Sequence, residues 1–148
     1  MPVSDQIFAQ SLKCLLAHCH PEWGDRYPLD VFNRLLAKNT RPSECTRNTH
    51  LNIQKHQVKS RRGQWTTDDL GKLTRGHPST GGFDVDCPII VAEYEGQQWL
   101  LDGNHRVNRW VAAGDTRMHD VNIHTVAGIG QFIELPPHSK KCRTWGGR

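Results

Sequence analysis

The chain has 148 residues, of which 36% are hydrophobic, and a formal net charge of +4 at pH 7. This length predicts a single domain with a modest core, and no apolar run approaches the roughly 20 residues of a membrane span, which excludes a membrane-spanning class. The N-terminus lacks the pattern of a secretory signal, so we expect a cytoplasmic protein without membrane contact. The mild positive charge suits a polyanionic partner but does not require one.

The five cysteines are odd in number and irregularly spaced: Cys14, Cys19, Cys45, Cys87 and Cys142. This pattern argues against a disulfide framework and favours free thiols in a reducing compartment. Two cysteines and two histidines fall between residues 14 and 20, but they lack a CxxC spacing and a second ligand pair. Buried thiols are therefore favoured over a zinc site in this segment.

Two amphipathic helices are predicted within residues 1–47. Ser4 can cap the first, which runs to about His18 with one apolar face. Pro28 suits the first position of the second helix, which ends near Asn39. We expect the pair to form a helical hairpin that packs on the following domain, and a partner-binding role is the alternative.

The segment from Asn48 to Val58 alternates weakly and predicts an edge strand. The densest basic stretch of the chain overlaps and follows it, from Lys55 to Arg62, with Trp65 just beyond. One interpretation is a contact with a nucleic-acid backbone or a nucleotide phosphate, with Trp65 stacking on a base. The other interpretation is a solvated basic loop with one anchoring aromatic residue.

A short capped helix and a turn-rich loop come next. Thr66 caps the helix, and Asp69 stands three positions later, as in a capping box. The loop over residues 76–82 is interpreted either as a lid over a ligand or as a surface connector.

A strand hairpin and a polar turn form the centre of the sequence. Cys87–Ala92 predicts a buried strand, and the Glu95-Gly96 turn leads to a returning strand over 98–101. The polar turn 102–106 then opens a helix that ends near Gly114. Because a helix start presents free N–H groups, this turn is the first candidate for a phosphate site.

The C-terminal part begins with a last strand over Asp120–Val126. We expect His119, Asn122 and His124 to lie on or near one face of it. A short docking element over residues 129–135 and a basic, flexible tail over 136–148 follow. The elements of residues 48–135 together predict an α/β (α+β) domain with a small mixed sheet and flanking helices.

The order of these parts resembles the ParB/sulfiredoxin superfamily, in particular its ParB-like N-terminal nucleotide-binding domain. That pattern has a leading strand, an Arg-containing loop, an acidic-acidic-Leu helix, a Pro-Ile-Ile-Val strand and an Asp-Gly-x-His-Arg turn. In this chain the corresponding parts are 51–58, Arg61-Arg62, Asp68-Asp69-Leu70, 88–91 and 102–106. The resemblance extends over residues 48–127, and the turn is moderately specific because it lies between the matching strand and helix.

The resemblance implies that the turn holds the phosphates of ATP or CTP. Arginine neutralises such charge by bidentate contact, and helix-start amides do so without reorganisation. The implied phosphate contacts are Gly103, Asn104, His105 and Arg106 from the turn and Arg61 or Arg62 from the opposite loop. Arg109, one helical turn further on, is a further candidate contact, and its alternative role is a surface charge.

Two residues of the turn are candidate catalytic groups. Asp102 would hold Mg²⁺ or orient His105, and its alternative role is an ordinary turn aspartate that caps the helix. His105 would act as a general base or as a hydrogen-bond donor to a phosphate, and its alternative role is a structural hydrogen bond to a neighbouring carbonyl.

The sequence departs from the superfamily in two respects. Sulfiredoxins carry a cysteine where Asn104 stands, so the sulfinic acid reductase chemistry has no nucleophile here. The Glu-Asn-x-x-Arg motif and the helix-turn-helix domain of the partition proteins are not found in the sequence, which disfavours centromere recognition.

The sequence thus predicts a domain that binds a nucleoside triphosphate with Mg²⁺ at Asp102–Arg106, with phosphoryl transfer or hydrolysis. The first alternative is a metal-dependent DNA nuclease of ParB-like type, plasmid- or phage-borne. The second is a non-catalytic module that binds DNA or protein. DNA contact would use Lys55–Arg62 and the C-terminal tail, and the sequence identifies no protein partner.

Overall fold

The computed structural model describes residues 3–18, 28–41, 49–74 and 86–134, and these form an α+β domain with a mixed sheet. The helices of these ranges are α1 (Val3–His18), α2 (Pro28–Thr40), α3 (Thr67–Gly71) and α4 (Asn104–Ala112). The strands are β1 (Thr49–Leu51), β2 (Val58–Thr66), β3 (Ile89–Tyr94), β4 (Gln97–Asp102), β5 (Met118–Val126) and β6 (Phe132–Glu134), and a 3₁₀ turn covers Lys55–Gln57.

The main sheet has four strands in the order β2-β5-β3-β4. The β2/β5 and β3/β4 pairs are antiparallel, whereas β3 and β5 run parallel, with Ile89 opposite Val121. The short strands β1 and β6 form a separate antiparallel pair. The parallel pair at the centre brings the beginnings of β3 and β5 to the same edge of the sheet.

Both faces of the main sheet are covered, which gives the domain three layers. On one face, α1 and α2 pack against Ile90, Ala92 and Tyr94 of β3. On the other face, Leu70 of α3 and Val107 of α4 pack against the alternate residues of β3 and β5. Burial on both faces explains why the Pro-Ile-Ile-Val segment is continuously apolar instead of alternating.

The local signals of the sequence predicted most elements correctly. The structure confirms both N-terminal helices, the β3/β4 hairpin and the helix after the polar turn. The predicted cap is also present, because the Asp69 N–H donates to the Thr66 hydroxyl over 3.1 Å. Gly114 follows the end of α4 with a φ of +67°, as expected of a residue that terminates a helix.

Three predictions about element placement were wrong. The segment 48–58 is not one strand, since it holds β1, the 3₁₀ turn and only the first residue of β2. The basic stretch is not a loop, because its second half lies on β2. His119 does not share a face with Asn122 and His124, because successive side chains of a strand point to opposite sides. It stacks on Trp110 of the α4 layer, while Asn122 contacts α1.

The expectation of free thiols was wrong for one pair, because Cys14 and Cys87 form a disulfide. Cys14 lies on α1 and Cys87 lies just before β3, 73 positions apart in sequence. The other three cysteines, the loop 76–82, the tail and both predicted domain boundaries lie outside the described residues. Within the described ranges, every helix is too short or too polar to cross a membrane.

Candidate functional site

One edge of the main sheet collects the ends of all four strands. The parallel pairing places the starts of β3 and β5 side by side, and the antiparallel neighbours β2 and β4 end at the same edge. Helix α4 begins there too, directly after β4. Residues that are distant in sequence therefore meet at this edge.

A cleft of about 780 Å³ opens at this edge. Its volume falls within the range of small-molecule sites, which extends from about 300 to 1,000 Å³. Three guanidinium side chains from separate elements line it, those of Arg62 on β2, Arg106 on α4 and Arg117 before β5. Asp86 and Asp120 also line it, so the charged side chains of the lining, among the described residues, are three cations and two anions.

Arg106 is the most deeply buried of the three arginines. Its side chain is only 7% exposed, and Nη2 lies 3.5 Å from Oδ2 of Asp102. Its Nη1 donates to the backbone carbonyl of Cys87. These contacts fix the guanidinium at the cleft wall, where a ligand would meet a cation that needs little reorganisation.

Arg61 and Arg62 are neighbours on β2, but their side chains take opposite sides of the strand. Arg62 lines the cleft, and its Nη2 donates to Oε1 of Gln10 over 3.1 Å. Arg61 instead donates to Glu93 and to Thr125 over 3.0 Å, and its hydrogen bonds lower the pKa of Glu93 to about 2. Of the two predicted alternatives, Arg62 is therefore the one at the cleft.

Arg117 lies at the exposed rim of the cleft beside an aromatic pair. Its Nη2 is 2.6 Å from Oδ2 of Asp115, and this contact lowers the pKa of Asp115 to about 2. Trp110 and His119, which both line the cleft, stack with ring centroids 3.7 Å apart and planes within 4°. Burial lowers the pKa of His119, and its Nε2 lies 2.9 Å from the Thr67 hydroxyl.

A polar network connects the cleft to the interior below α1. Asn122 Nδ2 donates to Gln10 Oε1 and to the Ser11 hydroxyl, each over 3.0 Å. The Ser11 hydroxyl in turn lies 2.7 Å from Nε2 of His124, which is fully buried. Helix α1 thus supplies part of the cleft wall, although it lies outside the segment that carries the family resemblance.

The turn that the sequence singled out contributes only one residue to the cleft lining, Arg106. Gly103 is buried at the N-cap of α4, with a φ of +112°. His105 is exposed, and the remaining predicted phosphate and catalytic residues do not line the cleft either. The residues in question are Asp102, Gly103, Asn104, His105, Arg61 and Arg109.

Trp65, the predicted stacking residue, also lies away from the cleft lining. It is half-buried and packs against the core between the sheet and α3/α4. The interpretation as an anchoring aromatic residue therefore fits its surroundings better than stacking on a base.

The predicted Mg²⁺ ligand, Asp102, directs its carboxylate to Arg106 rather than into the cleft. Among the described residues, no group of three or more His, Cys, Asp or Glu side chains could hold a metal ion. Since Mg²⁺ is commonly held by one or two carboxylates together with substrate phosphates, the assignment of Asp102 as its ligand stays a prediction. The carboxylates on the cleft wall are those of Asp86 and Asp120.

No family model, no curated protein and no solved structure matches the chain. The resemblance to the ParB/sulfiredoxin superfamily therefore remains a prediction from the sequence motifs. The function of the site is therefore inferred from the side chains that line the cleft.

Several residues of the cleft carry no signal in the sequence that marks them as site residues, among them Gln10, Arg117 and Asp120. Each lies outside a recognisable motif, and each reaches the cleft only through the packing of α1 or the pairing of β5 with β3. The sequence shows that Arg117 precedes the strand after α4, but it does not show that Arg117 and Arg106 line the same cleft.

Proposed function

We propose that the cleft binds the phosphate groups of a nucleoside triphosphate. The observation that carries this proposal is the convergence of Arg62, Arg106 and Arg117, from three separate elements, on one cleft of about 780 Å³. Guanidinium groups bind phosphate oxygens bidentately, and three of them suit a ligand with several negative charges.

The surroundings of the arginines support a nucleotide in particular. The stacked Trp110–His119 pair adds an aromatic surface to a cleft whose other groups are mostly polar. A nucleotide combines a polyanion with a flat base. The arginines suit the phosphates, and the aromatic pair suits the base. The motif order of the ParB/sulfiredoxin superfamily, in which members bind ATP or CTP, points to the same ligand class.

The proposal places the phosphates beside the start of α4, with Arg106 as the central contact. In this proposal the helix start does not contact the phosphates directly. It positions Arg106, and its residues are Gly103, Asn104 and His105. Mg²⁺ enters as the ion that accompanies the nucleotide, and hydrolysis or phosphoryl transfer remains the chemistry that the family resemblance implies. The proposed site lies in the cytoplasm, where nucleoside triphosphates are available.

The test compares two neighbouring arginines by calorimetric titration of ATP and CTP in the presence of Mg²⁺. Arg62→Gln should weaken binding about tenfold, the loss of one charge-assisted contact of about 1.4 kcal/mol. Arg61→Gln is the matched control, since it removes an equal charge from the adjacent residue outside the cleft. Failure of the wild type to bind either nucleotide, or an equal loss in both variants, would overturn the proposal.

The nuclease alternative has a separate test. Supercoiled plasmid incubated with the protein and Mg²⁺ or Mn²⁺ would be nicked, and His105→Ala would abolish the nicking. Lys55, Lys59 and Arg61 do not line the cleft, so DNA held by these three side chains alone would leave nucleotide affinity unchanged, whereas DNA that also contacts Arg62 would weaken it.

A further inference from the structure

The Cys14–Cys87 disulfide joins helix α1 to the wall of the proposed nucleotide cleft. Cys87 lines the cleft, and its backbone carbonyl accepts the hydrogen bond from Arg106. A covalent bond to α1 therefore fixes the segment that holds the central cation of the site.

The same helix reaches the cleft a second time through Gln10. This residue precedes Cys14 by four positions, so the two side chains lie on the same face of α1. Its Oε1 accepts hydrogen bonds from Arg62 and from Asn122. The position of α1 thus affects both Arg62 and, through Cys87, Arg106.

We propose that this disulfide is a redox switch that controls the affinity of the cleft for its anionic ligand. In the oxidised protein, the bond holds α1 against the cleft with Arg62 and Arg106 in place. Reduction removes the covalent restraint between α1 and the segment before β3, while the core packing of α1 remains. The guanidinium groups of Arg62 and Arg106 then lose part of what fixes their positions at the cleft. The identity of the ligand rests on the proposed function, whereas the coupling of α1 to the cleft does not.

The chemistry requires a dithiol as reductant. One of its thiolates attacks a sulfur of the Cys14–Cys87 bond, and the other cysteine leaves as a thiolate that takes up a proton. The second thiolate of the reductant then attacks the reductant's sulfur in the mixed disulfide, and the remaining cysteine leaves as a thiolate that also takes up a proton. The chain thus gains two thiols while the dithiol becomes a cyclic disulfide. Cys14 is buried, whereas Cys87 is half-buried and lines the cleft, so the proposal has the dithiol approach the bond from the cleft.

The first experiment titrates ATP into the oxidised protein and into protein reduced with dithiothreitol. We expect reduction to weaken ATP binding by about fivefold or more, the range typical of coupled sites. Replacing both Cys14 and Cys87 by Ala should reproduce the weak binding in either buffer. A control with Cys19, Cys45 and Cys142 all replaced by Ser should keep the full redox response. Equal ATP affinity in the two states would overturn the switch.

The second experiment measures amide hydrogen exchange in oxidised and reduced protein without ligand. Faster exchange on reduction around Gln10 in α1 and around Ile89 in β3 supports the switch, and unchanged exchange overturns it. If ATP binds neither form, the proposed function fails, and the exchange result still decides whether α1 is coupled to the cleft. If both the reduced protein and the double Ala variant are unfolded by circular dichroism, the bond is purely structural and the switch is overturned.

Discussion

The hydroxyl of Ser60 on β2 lies 2.6 Å from Nδ1 of His124 on β5, in the interior of the domain. The other ring nitrogen contacts the Ser11 hydroxyl, so both nitrogens of a fully buried imidazole have partners. Phe8 and Phe32 approach the ring edge-on, with centroids 5.4 and 5.9 Å away. This environment satisfies a neutral histidine and opposes a charged one.

Protonation of His124 should destabilise the fold in mild acid. Burial lowers its pKa from 6.5 to about 4, so the unfolded chain binds a proton that the folded chain refuses between these values. Stability therefore falls as the pH drops through this window, by about 3 kcal/mol in total. Urea unfolding at pH 7, 5.5 and 4 measures the slope, to which His119 adds a contribution of the same sign.

Two matched variants distinguish the contribution of His124 to the pH dependence of stability from that of an exposed histidine. His124→Gln should flatten the pH dependence between 6.5 and 4, even though it lowers stability at pH 7. His56→Gln, at an exposed position of the 3₁₀ turn, should leave the slope unchanged. Because the contribution of His119 remains, a slope as steep as that of the wild type in the His124 variant would contradict the assignment.

Gly103 should not tolerate a side chain. Its φ is +112°, and an added Cβ would collide with Cδ1 of Ile89, so Gly103→Ala combines backbone strain with a steric clash. We expect a loss of about 3 kcal/mol in the free energy of unfolding. Gly96→Ala is the control, since φ is +74° there and no atom lies within 4 Å of the added Cβ. Equal losses in the two variants would show that the collision is relieved.

Gln10 should act as a positioning residue for the proposed ligand. Gln10→Ala removes the acceptor that holds Arg62 and Asn122, so we expect about fivefold weaker ATP binding by calorimetry. Gln6→Ala, at an exposed position of the same helix, should bind like the wild type. Unchanged affinity in the Gln10 variant would mean that Arg62 is held in place by other contacts.

The ion pair between Asp30 and Arg34 should be worth more to stability than a surface pair. Arg34 is fully buried, with Nε 2.9 Å from Asp30 Oδ2, so Asp30→Asn leaves a buried cation without its carboxylate. We expect a loss of about 3 kcal/mol in urea unfolding. Asp69→Asn, which removes an exposed pair with Lys72 at 3.9 Å, should cost less than about 1 kcal/mol.

The helices and the hairpin could be predicted because their signals are local. Thr66 and Asp69 define a helix start within four residues, and Glu95-Gly96 marks a turn without reference to the remainder of the chain. The basic stretch was misplaced for the same reason. Its charges indicated solvent exposure, which is correct for Arg61 and Arg62, but exposure does not distinguish a loop from an edge strand.

The sequence by itself determined the α+β class and the main elements, because capping and periodicity act over a few residues. It also singled out Arg106 as a candidate cation, but it left Arg61 and Arg62 as alternatives. Only the tertiary structure determined which residues line the cleft. The parallel pairing of Ile89 with Val121 brings Arg117 to the edge where Arg106 and Cys87 meet. The disulfide between Cys14 and Cys87 depends on the same packing, since it joins two positions that no local pattern relates.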